Sequence, residues 1–88
     1  MISEHLNFIE ELGFTAKEIN TNKVISTDEK GITANVDLHS NHYQFTYEDI
    51  ASEIFENISD TERFELELVN FKVSVLSKEL ADKIEYSK

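Results

Sequence analysis

The chain has 88 residues and a mass of 10.2 kDa, room for one hydrophobic core and not for two. Its 18 Asp and Glu against 8 Lys and Arg give a formal charge of −10, and 40% of its residues are hydrophobic. That is too apolar for a disordered acidic tail and too poor in cations for direct nucleic-acid binding, which draws its affinity from clustered Lys and Arg. Without cysteine there is no disulfide framework, thiolate metal site or cysteine nucleophile, and a reducing cytoplasm is the expected location. Met1 to Leu12 holds three carboxylates, with no Lys or Arg before Lys17. This is unlike a signal peptide, and no apolar run approaches the roughly 20 residues that cross a bilayer.

In chain order, a first helix is expected over about residues 3–12, because Ile2, Leu6, Ile9 and Leu12 recur on one side and Gly13 supplies a stop. From Phe14 to Phe45 the pattern changes to short segments broken by polar turns at Asn20-Thr21-Asn22, Asp28-Glu29-Lys30-Gly31 and Ser40-Asn41-His42. The clearest strand places Ile32, Ala34, Val36 and Leu38 inward, so a meander of three or four antiparallel strands is expected. A second helix is read from Tyr47, Ile50, Ala51, Ile54, Phe55 and Ile58, a buried helical stripe with Thr46 as N-cap.

Phe64 to Leu76 reads as β. Phe64, Leu66 and Leu68 alternate on one side and Val69, Phe71, Val73 and Val75 on the other, so the buried side changes at Leu68–Val69. Ser77 would then cap a short helix to about Glu85, carrying Leu80, Ala81 and Ile84. The expected architecture is one α+β domain over residues 1–88, an antiparallel sheet of about four strands packed against two or three helices in the order α-β-β-β-α-β-α. Its expected core is Ile2, Leu6, Ile9, Leu12, Phe14, Ile32, Ala34, Val36, Leu38, Ile50, Ile54, Phe55, Ile58, Phe64, Leu66, Leu68, Phe71, Val73, Leu80 and Ile84.

Few residues suggest chemistry. Gly13 and Gly31 are too far apart to build a phosphate-cradling loop, and nothing resembles a nucleophile elbow. The stretch most like a metal site is Asp37, His39 and His42, but polar residues on the outer face and tip of a hairpin look the same, and no metal or cofactor is expected. Glu65 and Glu67 share a strand face in this reading, where a solvated surface explains them better than a catalytic pair. The expectation is a protein that is not an enzyme.

The acidic segment is the most distinctive feature. Between Glu48 and Glu67 there are eight acids against Arg63 alone, which is −7 of the total −10. On a helix, Asp49 would stand beside Glu53 and Glu53 beside Glu56, like-charge neighbours that each cost about 0.2–0.5 kcal/mol. Glu48, Asp49, Glu53, Glu56, Asp60 and Glu62 are therefore the candidate partner-binding residues, spaced to meet Lys and Arg that otherwise hold phosphates.

In size and charge the chain resembles the small acidic inhibitors and nucleic-acid mimics encoded by phages and mobile elements, anti-CRISPR and anti-restriction proteins among them, and also the immunity proteins that neutralise nuclease toxins. The resemblance is one of composition over the whole chain and assigns no functional residue. It implies a non-enzymatic inhibitor that blocks a basic, nucleic-acid-handling surface of a partner protein. The alternative is an assembly protein that self-associates, as a homodimer for instance, through a strand edge, an apolar patch or the Tyr43, Phe45 and Tyr47 cluster. A small metal-dependent enzyme is the third reading.

Overall fold

The computed structural model describes residues 2–20 and 22–86, and the side-chain surroundings of residues 7–17, 20 and 22–82. The expected environments of Ile2, Leu6 and Ile84 lie outside the latter. Helix α1 spans Ile2–Glu11 and ends as its sequence dictates. Gly13 adopts φ +97°, its N–H donates to the Glu10 carbonyl, and the Phe14 N–H donates back to the Ile9 carbonyl. This paired closure requires a left-handed residue, and it seats Phe14 against Ile9, both buried in the core.

Four strands follow as a meander: β1 (Thr15–Ile19), β2 (Lys23–Thr27), β3 (Thr33–Asp37) and β4 (His42–Tyr47). Each pairs antiparallel with its sequence neighbour. An Asn or Asp sets each turn by accepting from backbone amides just ahead. Asn20 accepts from Asn22 and Lys23, Asp28 from Lys30 and Ile32, and Asp37 from His39 and Ser40. Alternation along the strands buries Val24, Ala34, Val36, Tyr43 and Phe45 on one face, and α1 and the C-terminal helix cover that face.

The second half of the chain departs from the helix-then-strand expectation. Residues 47–58 are not helical: Glu48 and Asp49 form a two-residue turn, with Glu48 at φ +52°, after which β5 (Ile50–Ala51) and β6 (Phe55–Glu56) run back along β4. The pairings Thr46 with Ala51 and Tyr47 with Ile50 consume the backbone groups that a helix would use. An apolar strand with an open edge thus overrides a helical pattern in the segment that follows it. Of the expected stripe, Ile58 is buried, Ile50 and Phe55 are half-buried, and Ile54 is 64% exposed.

Residues 64–76 are not a strand, and Ser77 caps nothing. A single helix α2 runs over Thr61–Tyr86, about 39 Å at the standard rise. Asp60 is its N-cap, accepting from the Arg63 amide at 3.1 Å. The fold is therefore an antiparallel sheet with two helices in the order α-β-β-β-β-β-β-α, an α+β architecture as expected but with different elements after Tyr47. Val24, Tyr43, Phe45 and Val75 join the core, while Ile54, Leu66, Val73 and Leu80 leave it.

Candidate interaction surfaces

Helix α2 carries two apolar stripes. Phe64, Leu68, Phe71 and Val75, at spacings of four, three and four, are buried against the sheet. Phe64 meets Phe8, Tyr43 and Phe45 with ring centroids 5.0–5.1 Å apart. Leu66, Val69, Val73, Leu76 and Leu80, at spacings of three, four, three and four, centre about 150° away around the helix and are each 50–59% exposed. That spacing matches the a and d positions of a heptad repeat.

Past Val75 the helix outruns its own core, and every residue from Leu76 to Asp82 is exposed. In this overhang the phase that would continue the buried stripe turns charged, at Lys78 and Asp82, whereas the outer phase stays apolar at Leu76 and Leu80. The outer stripe thus continues where intrachain packing has ended.

Both sheet edges are irregular. The pairing of β1 with β2 shifts between Ala16 and Glu18. On the other edge, Ser52 still bonds to Phe45 and Phe55 pairs with Tyr43, leaving Glu53 and Ile54 together opposite Gln44. These are β-bulges, which spoil an edge as a template for another strand. The self-association route through a strand edge therefore has little support. The aromatic route fails as well, because Tyr43 and Phe45 are buried and Tyr47 is half-buried.

The expected acidic face does not exist as one helical surface, so the like-charge repulsion between Asp49, Glu53 and Glu56 on a helix is absent. The Asp49 carboxylate pairs with Lys78 at 2.7 Å, and the hydrogen bond from Lys78 holds its pKa below the ordinary carboxylate range. Glu56 on β6 lies 3.7 Å from His42, and Asp60 caps α2. Arg63 is engaged too, with Glu67 at 3.3 Å and over the ring of Phe55. Glu48, Glu53, Glu62 and Glu65 are exposed without a side-chain ion pair among the described residues.

Asp37, His39 and His42 do not form a group that could hold a metal, and none is found among the described residues. The Asp37 carboxylate turns instead to the amides of His39 and Ser40, and the Ser40 amide contributes most to lowering its pKa. A groove of about 370 Å³ crosses the outer sheet face near Lys23, Asn35, His42, Gln44 and Ile54. A second cleft of about 340 Å³ separates the β2–β3 turn from α2 and is lined in part by Tyr47, Lys72 and Glu79. The Tyr43 hydroxyl is buried with no hydrogen-bond partner among the described residues, and desolvation raises its pKa. No described helix is long and apolar enough to cross a membrane.

The outer stripe of α2 is the surface that sequence reasoning missed, having assigned Leu66, Val73 and Leu80 to the core. Its signal was the unbroken three-four spacing from Leu66 to Leu80. No family model, curated protein or solved structure matches the chain.

Proposed function

We propose that this protein is a non-enzymatic assembly domain that self-associates through the outer face of α2. The observation that carries this reading is the continuation of the apolar stripe past Val75, the last buried residue of the helix, at Leu76 and Leu80, which are 51% and 59% exposed. Scattered single hydrophobics on a surface are ordinary, but five in one seam mark an interface. The stripe covers about two heptads, short for a coiled coil, so association in the micromolar range is expected.

Sedimentation velocity at several protein concentrations tests this. The wild-type protein should shift to a larger species as concentration rises. Val73→Asp, which places a carboxylate in the seam, should remain monomeric with an unchanged circular dichroism spectrum. A wild-type protein that stays monomeric throughout, or a Val73→Asp variant that still assembles, removes the reading.

A second reading, the acidic inhibitor of a basic, nucleic-acid-handling protein, is favoured by one feature: the exposed Ile54 is thrust out on the β5–β6 bulge beside Glu53, an apolar anchor next to a free carboxylate. Glu48, Asp49, Glu53, Glu56, Asp60 and Glu62 would then serve from a turn, an edge and a helix start. Salt separates the readings, because the Debye length contracts from about 30 Å at 0.01 M to about 8 Å at 0.15 M. Binding to a basic partner weakens over that range. Self-association of a chain of net charge −10 holds or strengthens, as long-range repulsion is screened.

A further inference from the structure

The geometry points to a second copy of this chain packed antiparallel on α2, in a register set by Lys72 and Glu79; this rests on the assembly reading above. The outer stripe has two flanks. One carries Glu65, Lys72 and Glu79, one residue per heptad with alternating sign, and the other carries Arg63, Asn70 and Ser77, where the single charge, Arg63, is already held by Glu67. Lys72 and Glu79 border the same cleft, and neither is in an ion pair among the described residues. Lys17, Lys23 and Lys30 likewise have no ion pair among the described residues, and what sets Lys72 apart is its place beside the apolar seam, between Glu65 and Glu79 on one flank.

The alternation selects the pairing. In a parallel pair the alternating flank of one helix meets the opposite flank of the other, Glu65 opposite Asn70 and Lys72 opposite Ser77, and neither charge finds an ion pair. In an antiparallel pair the charged flanks face each other. With Val69 against Val73 and Leu66 against Leu76, that arrangement sets Lys72 on Lys72 and Glu65 on Glu79, which repel. Shifted toward the C-terminal half, it sets Lys72 on Glu79 of the second copy, twice by symmetry. The same shift seats Val69 against Leu80 and Val73 against Leu76, again twice. The stripe faces away from the sheet, so this pairing stacks sheet, helix, helix and sheet with the sheets outermost. Glu79 also stands beside the Tyr47 hydroxyl, whose pKa its charge raises, so the cleft brings Tyr47 to the border of the seam.

Charge reversal tests the register. Lys72→Glu and Glu79→Lys should each weaken self-association at least about tenfold, equivalent to about 1.4 kcal/mol, while the K72E/E79K double variant recovers most of it. Mixing the two single variants should yield a heterodimer tighter than either homodimer, since both cross-pairs are then of opposite sign. Cysteine cross-linking reads the direction: V69C mixed with L80C should form the mixed disulfide, and L80C alone should not cross-link to itself. Single charge variants that dimerise like wild type, or efficient self-linking of L80C, overturn the antiparallel register while leaving assembly through α2 intact. A wild-type chain that is monomeric at every concentration overturns both.

Discussion

On α2, Phe64, Leu68, Phe71 and Val75 lie against the sheet, while Leu66, Val69, Val73, Leu76 and Leu80 face away from it. The inner set ends at Val75, and the outer set runs on to Leu80. Similar side chains on one helix therefore answer to different demands. The inner stripe is tied to the folded monomer, and under the assembly proposal the outer stripe answers to a second copy.

The largest expected effect comes from cutting each stripe once. Phe64→Ala removes a fully buried ring from the centre of the aromatic cluster and should cost about 3–5 kcal/mol in urea unfolding, much of the stability of a small domain. Leu80→Ala should leave the monomer within about 0.5 kcal/mol of wild type and yet weaken self-association about tenfold or more. Equal losses of monomer stability from the two changes would erase the distinction between the stripes.

A smaller effect sharpens the description of the inner face. The buried Tyr43 hydroxyl has no partner among the described residues, so Tyr43→Phe should stabilise the monomer by about 1 kcal/mol while leaving association untouched. The same variant carries a pH signature. Burial raises the Tyr43 pKa, so above the ordinary tyrosine value of about 10 the unfolded chain ionises first. Stability then falls as pH rises, and Tyr43→Phe should flatten the alkaline limb of a melting-temperature profile, with the remaining slope owed in part to Tyr47.

The smallest effect concerns the clasp at the point where the helix leaves the sheet. The hydrogen bond from Lys78 lowers the Asp49 pKa, and that same bond raises the Lys78 pKa. The contribution of the pair is whole above the ordinary carboxylate pKa and lost as pH falls through the depressed folded value. At the other end it is whole below the ordinary lysine pKa and lost as pH rises through the raised one. Asp49→Asn should therefore lower the melting temperature slightly at neutral pH and match wild type in strong acid. A difference that persists in strong acid would place the effect of Asp49 in the turn and not in the clasp.

How much of this was legible in the sequence depended on whether a segment carried one periodicity or two. The first helix, its Gly13 stop and the polar turns at Asn20, Asp28 and Ser40 were readable because local chemistry alone decides them. The segment 64–76 was misread because two helical stripes, offset by two residues, interleave into an apparent alternation of period two. The change of side at Leu68–Val69 was the trace of the helix, since a strand needs a bulge to produce it and a helix with two apolar faces needs nothing. Residues 47–58 hold a true helical pattern that the open edge of β4 overrides, a tertiary effect that no local window contains. The acidic residues were visible, but their partners were not, because Lys78 lies 29 positions beyond Asp49.

The meander has a consequence in time. The first four strands each join the next in sequence through a short hairpin, so the sheet can zip from any turn with little loop entropy to overcome, on the order of milliseconds and not seconds. The distant partner it waits for is α2, which brings Phe64, Leu68, Phe71 and Val75 from the end of the chain. During synthesis at about 5–20 residues per second, the hairpins have formed before that helix emerges. It then docks on a prepared template, and the side it keeps free is the one with Leu76 and Leu80.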